Sequence, residues 1–122
     1  MSILFVGYPP ESKIRLPLLK LAKDKKIHSV LDSEKSLANL FKLSNSERSK
    51  IKKSGGERLF LHRIRWSRTI LKYAKLIEDP KLGYYKITTR GLKVLKNPPY
   101  ILNDTFLNQF PEFRKKRRRN KK

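Results

Sequence analysis

The chain has 122 residues, enough for one domain with its own core, and 31 lysines and arginines against 10 acids give it a net charge of +21. It contains no cysteine, which excludes disulfides and cysteine-ligated metal sites. No apolar run reaches the length of a membrane span, so we expect a cytoplasmic protein with no membrane partner. The charge instead favours a polyanionic partner, of which nucleic acid is the commonest.

The first half of the chain alternates helical and short extended patterns. An amphipathic helix is predicted over Glu11–Lys23, and Pro17 favours a later start near Leu16 as the alternative. A short strand over Ile27–Val30 and a second helix over Asp32–Lys42 follow. The chain therefore opens with a helix, a strand and a helix.

A third helix, from Glu57 or Arg58 to about Lys75, has the clearest pattern. Ser44-Asn45-Ser46-Glu47 before it matches a capping box and predicts a helical turn, and Lys50–Gly56 is a basic loop. Steps of four and three define the helix's core face, which consists of Phe60, Ile64, Ser67, Leu71 and Ala74. The adjoining stripe is interpreted as core rather than as a base-stacking platform; it contains Leu59, Trp66, Ile70 and Tyr73.

A β-hairpin with a proline- and glycine-containing turn is predicted next, from Leu76–Glu78 to Tyr84–Thr88. Alternation points Tyr85 and Ile87 toward the core. Thr88 is positioned to cap a fourth helix, which ends near Lys96, and a last helical stretch begins at Asp104. This order predicts a mainly α chain with a small β-hairpin, a winged helix-turn-helix. We expect a domain over residues 1–113 and a disordered basic tail over 114–122.

The non-apolar side of the third helix carries the strongest functional signal. Its sequence from Arg58 to Lys75 has six basic residues and no acid. Four of them step by three or four residues into a ridge of Arg65, Arg68, Lys72 and Lys75, and His62 and Thr69 lie beside it. A helix buried on one side and cationic on the other suits the major groove, where Arg reads guanine and Lys neutralises phosphate. The alternative is an ordinary solvated face.

Two further segments have weaker signals. Lys81 at the hairpin tip, with Tyr84 and Lys86 on one face of the return strand, could contact the DNA backbone or be an ordinary exposed hairpin. Ser54-Gly55-Gly56 precedes a helix, where backbone amides can hold a phosphate, but a plain loop is the simpler interpretation.

The residues do not form a recognisable catalytic site. His28 and His62 belong to different elements, and no carboxylate pair suited to sharing a proton is visible. Asp79-Pro80-Lys81 is similar to the acid-x-lysine half of a nuclease motif, but it belongs to a turn and has no evident acidic partner. We therefore predict no enzyme activity, no cofactor and no metal.

The chain resembles the N-terminal domain of Mrr-type restriction proteins over roughly Pro9 to Arg114. The resemblance is carried by Ile14–Lys20, by Ser54–Thr69 with its tryptophan, by Leu71–Ile77 with the following Gly83–Gly91, and by Phe106–Phe113. It implies a winged-helix domain that targets DNA for a restriction enzyme. In that family a nuclease domain of the PD-(D/E)xK type usually follows, whereas this chain ends in its basic tail.

These observations predict a duplex DNA-binding module of a Mrr-like restriction system, directed by sequence or by modification and lacking the nuclease domain. The predicted partner is double-stranded DNA, and a separate nuclease domain or subunit and a homodimer stay open. Two alternatives remain: an assembly adaptor that binds an acidic protein, and an RNA-binding basic protein. The chain is expected to be a fragment of a longer enzyme, a stand-alone relative or a degraded copy.

Overall fold

The computed structural model describes residues 9–51 and 55–120, without the side chains at 119 and 120. Positions 1–8 of the predicted domain, 52–54 of the predicted loop and 121–122 of the predicted tail lie outside the described residues. Within the described residues, no helix is both long and apolar enough to cross a bilayer.

The described chain is mainly helical, with a small antiparallel sheet. In chain order the elements are α1 (Glu11–Leu21), a 3-10 turn (Ala22–Asp24), β1 (His28–Ser29), α2 (Val30–Leu40), α3 (Asn45–Ser49), α4 (Leu59–Tyr73), β2 (Ile77–Glu78), β3 (Tyr84–Ile87), α5 (Thr89–Lys96), α6 (Asp104–Leu107) and α7 (Pro111–Asn120). The strand order is β1-β3-β2. The predicted fold class is confirmed, and the arrangement is compatible with a winged helix-turn-helix.

The local signals place most helix starts. Ser44 accepts from the Glu47 amide while the Glu47 carboxylate accepts from the Ser44 amide, so the predicted capping box forms. Thr88 accepts from the Gly91 amide at the start of α5, as predicted. Pro17 did not delay α1, which begins at Glu11 with the proline inside it. The hydrogen bond it cannot donate is offset by burial of its neighbours Leu18 and Leu19.

α4 is buried along the predicted face. Phe60, Ile64, Ser67, Leu71 and Ala74 are all fully buried, and α1 is the helix against which α4 packs most extensively. At the far end, Lys75 adopts a left-handed φ of 63° while the Lys75 and Leu76 amides donate to the carbonyls of Lys72 and Leu71. This is a Schellman ending, and it turns the chain from α4 into the hairpin.

The hairpin packs closely against α5. Tyr85 and Ile87 point inward and are buried, as predicted. A β-carbon at Gly91 would lie 2.3 Å from the Leu76 carbonyl oxygen and 2.6 Å from the Ile87 Cγ1 atom. Only glycine allows the first turn of α5 to approach the strands this closely.

A partly buried polar network joins α1 to the C-terminal helices. Arg15, 4% exposed, binds the Glu11 carboxylate through two nitrogens at 2.7 and 2.8 Å and Asp104 at 2.8 Å. Glu11 also accepts from the Ser67 hydroxyl of α4 at 2.8 Å, and Asp104 accepts from Arg117 of α7. Burial alone would raise the pKa of Asp104, but Arg15 and Arg117 hold it below its usual value.

The predicted disordered tail differs from the structure, in which residues 114–120 continue α7. Residues of like charge remain in one helix here because acidic and aromatic side chains outside the basic run contact some of them. Phe113 is fully buried, Arg117 bonds Asp104, and Glu112, just before the run, bonds Arg90 of α5. The helix therefore continues through the basic run to residue 120.

Replacing Arg15 with methionine should lower the free energy of unfolding by roughly 3–5 kcal/mol, because the largely buried Glu11 carboxylate loses its charged partner. Denaturant titration measures the loss, and the double variant Glu11→Gln/Arg15→Met should recover part of it. Arg118→Met, on the exposed side of α7, serves as the control. A loss in Arg15→Met no larger than in the control would contradict a structural role for the network.

Burial raises the pKa of the Tyr85 hydroxyl to about 12, although its 2.7 Å hydrogen bond with Ser33 acts in the opposite direction. A folded-state pKa above the unfolded value of about 10 gives stability that is complete below pH 10 and lost as the pH rises toward 12. Tyr85→Phe should cost about 1 kcal/mol at pH 8, since the Ser33 hydroxyl still donates to the Ser29 carbonyl. At pH 11 the difference in the free energy of unfolding between the wild type and Tyr85→Phe should be smaller by about 1 kcal/mol. Urea titrations at both values test this, and a gap independent of pH would reject it.

Candidate nucleic-acid interface

The side of α4 that faces away from α1 carries the predicted contact residues. Since 3.6 residues make a turn, Arg65 and Thr69 lie almost opposite the buried Ser67, with His62 and Lys72 on either side. The side chains of His62, Arg65 and Lys72 are 46%, 49% and 54% exposed, and Thr69 is half-buried. The Thr69 hydroxyl donates to the Arg65 carbonyl one turn earlier. We call these four residues the outward face of α4.

Two carboxylates from outside the helix lie against this face. Glu57, just before α4, approaches His62 at 2.7 Å and Arg65 at 3.5 Å. Asp79 in the hairpin turn pairs with Arg68 at 2.8 Å and Lys72 at 2.9 Å. Within α4 the ridge has no acid, but the fold supplies two to it. The ridge is therefore partly neutralised: Arg65, Arg68, Lys72 and Lys75 contribute four charges, and the two acids leave a net of +2.

Arg68 is the ridge residue least available to a ligand. Its side chain is 15% exposed, and it is held between α4 and the hairpin by Asp79. Burial alone would raise the pKa of the Asp79 carboxyl, but hydrogen bonds from Lys72 and Arg68 hold it below its usual value. The Arg68–Asp79 pair thus fixes the hairpin relative to α4, and Asp79 of the Asp79-Pro80-Lys81 motif serves this contact.

Trp66 is not a core residue. It is 42% exposed, while Ile70, in the same predicted stripe, is fully buried and Leu59 and Tyr73 are half-buried. The buried arc of α4 ends between Ile70 and Trp66, so the indole lies at the edge of the outward face. Helical spacing assigned the stripe to one side of the helix but could not locate the edge of the core.

The hairpin tip is exposed and carries charged, aromatic and aliphatic side chains. Lys81 lies over the ring of Tyr84, with 4.3 Å between its ammonium nitrogen and the ring centre, and Leu82 is 94% exposed. Gly83 takes a φ of 85°, which closes the turn. Lys86 is half-buried and lies across the strands from Glu78. Lys81 and Tyr84 therefore share the tip, while Lys86 lies farther along β3.

Lysines that the sequence analysis assigned to the basic tail lie beside the C-terminal end of α4. Lys72 and Lys75 line an open depression together with Lys115 and Lys116 of α7, and Tyr73 forms part of its wall. The Lys116 ammonium lies 5.8 Å from the centre of the Tyr73 ring. Glu112 also lines it, but its carboxylate binds Arg90. The charge run signalled basic character, but only the packing of α7 against α4 shows where it lies.

Comparison with models of known protein families assigns the chain to one family. The model of the Mrr N-terminal domain family matches residues 12–97. The chain belongs to the Mrr N-terminal domain family. No curated protein and no solved structure matches it.

The Mrr N-terminal domain match includes α4, both carboxylates that face it, and the hairpin. It ends just after α5, so α6 and α7 lie beyond the matched segment. The outward face of α4 therefore lies within the family's common part, whereas Lys115 and Lys116 lie outside it.

If phosphate approaches the outward face, Glu57→Gln should strengthen duplex binding about fivefold, because one unit of repulsion across a solvated gap is worth about 1 kcal/mol. Asp32→Asn removes the same charge from an exposed position on α2 and is the matched control. Fluorescence anisotropy of a labelled duplex measures both affinities. Equal effects in the two variants would show that Glu57 does not face the bound DNA.

Proposed function

We propose that this Mrr N-terminal domain is a duplex DNA-binding module that directs a Mrr-like restriction system to its substrate. The outward face of α4 would enter the major groove, and the hairpin tip with Lys81 would follow the phosphate backbone. The proposal is carried by one observation: α4 is anchored by a fully buried face and presents Arg65 and Lys72 on its exposed side.

The carboxylates beside this face are compatible with binding. Ion pairs between exposed side chains contribute about 0–1 kcal/mol, so phosphate can compete for Arg65 and Lys72 at small cost. Their charges are half-exposed, unlike that of Arg68. The acids would also weaken non-specific binding, because every phosphate near α4 meets Glu57 or Asp79. Such a face favours contacts that reach the bases over contacts made by charge alone.

Trp66 provides a direct readout of this face. It is the single tryptophan of the chain and lies partly exposed beside Arg65. A duplex docked on the outward face should change the indole's environment and quench its emission. A duplex bound elsewhere should raise the anisotropy of a labelled DNA without altering Trp66 emission.

The test is a titration of the full chain with labelled duplex, following DNA anisotropy and Trp66 emission together. Arg65→Ala/Lys72→Ala should weaken binding at least about tenfold, since each base or phosphate contact is worth roughly 1–3 kcal/mol. Lys35→Ala/Lys42→Ala removes the same charge from exposed positions on and just after α2. An unchanged affinity in the first variant, or equal losses in both, would reject the outward face.

The same titration separates the alternatives. Structured RNA that displaces the duplex at lower concentration would favour an RNA-binding protein. An adaptor for an acidic protein would show no duplex binding near physiological salt, where DNA binders retain a steep salt dependence.

A further inference from the structure

A second cationic surface lies between the 3-10 turn and α5. Lys23 belongs to the turn and Lys25 follows it directly, while Lys93 and Lys96 belong to α5. The four lysines surround an open depression of about 640 Å³ that has Leu92 and Leu95 in its wall. Among the residues that the structure describes, no carboxylate lines the depression.

These lysines differ from the cations of α4 in having no acidic counterpart. Asp24 lies between Lys23 and Lys25 in the sequence, but its carboxylate accepts from the Lys26 amide and binds the His28 ring at 2.8 Å. Within residues 9–51 and 55–120, none of the four lysines takes part in an ion pair. Four solvated ammonium groups without an acid match a phosphate backbone, which lysine neutralises as a point charge.

The fold separates this surface from the outward face of α4. α1 packs against the buried face of α4, and the 3-10 turn continues directly from α1. The lysine depression therefore adjoins the C-terminal end of α1 and α5, whereas Arg65 and Thr69 point away from α1.

We infer that Lys23, Lys25, Lys93 and Lys96 form a second DNA-contacting surface, which binds the phosphate backbone of another duplex segment. The inference rests on the proposed function for the first duplex only. The module would then hold two DNA segments on two different surfaces, one read by α4 and one held by charge. The second contact would be independent of base sequence, because these lysines meet backbone rather than bases.

The experiment mixes the full chain with two short duplexes, one carrying a donor dye and the other an acceptor. Energy transfer reports bridging, and Trp66 emission reports occupancy of α4. The variant Lys23→Gln/Lys25→Gln/Lys93→Gln/Lys96→Gln should need at least about tenfold more protein to bridge, since four phosphate contacts change affinity steeply near physiological salt. Its Trp66 quenching by a single duplex should persist. Lys13→Gln/Lys35→Gln/Lys42→Gln/Lys50→Gln removes the same charge from other exposed positions and is the control.

Bridging that survives in the first variant, or falls equally in the control, would overturn the inference. No energy transfer with the wild type would do the same. If the variant loses binding only to vesicles of anionic lipid, the surface is a membrane contact and the inference is wrong. Failure of the proposed function gives a different pattern, in which duplex binding depends on the four lysines and Trp66 emission never changes.

Discussion

The position of α4 depends on a polar contact placed inside an apolar interface. Ser67 is fully buried at the centre of the helix face that packs on α1, and its hydroxyl donates to the Glu11 carboxylate. That carboxylate tolerates its surroundings because Arg15 binds it through two nitrogens. Apolar packing sets which side of α4 is buried, because rotation would expose Phe60 and Ile64. The hydrogen bond adds a directional contact at the centre of that interface, which supports the same orientation of Arg65 and Thr69.

The same network extends this constraint to the C-terminal helices. Asp104 of α6 accepts from both Arg15 and Arg117, so α1 and α7 are linked through one carboxylate. α7 then lies along the end of α4, where Lys115 and Lys116 join Lys72 and Lys75. A contact near the start of the chain thereby sets the charge distribution at the end of α4.

Sequence patterns predicted the elements well because their causes are local. The capping box at Ser44, the cap at Thr88 and the alternation of Tyr85 and Ile87 each depend on residues within a few positions. The core face of α4 was likewise predictable from its spacing. The exposure of Trp66 was not, because it depends on how far neighbouring elements extend around the helix.

The site was less predictable than the fold, since its electrostatics are non-local. Asp79 is separated from Arg68 by eleven positions along the chain and belongs to another element, yet it neutralises part of the ridge. Similarly, residues 114–120 form a helix that is held by the Arg117–Asp104 hydrogen bond and by the buried Phe113. Counting charges within one helix therefore identified its basic residues correctly but missed the acids that other elements place beside them.

The distribution of ion pairs explains how so basic a chain can fold and still present charge. Within the described residues, seven of the ten acids contact basic side chains, and the partners are six arginines, Lys72 and the rings of both histidines. Arginine suits such pairs because its planar fork binds a carboxylate bidentately and is weakly hydrated. Lysine, a strongly hydrated point charge, gains less from burial beside an acid and stays at the surface. With the acids largely engaged by arginine, the lysines beside α5 and α7 supply much of the field that a polyanion meets, and so the net charge of +21 is expressed mainly outside the core.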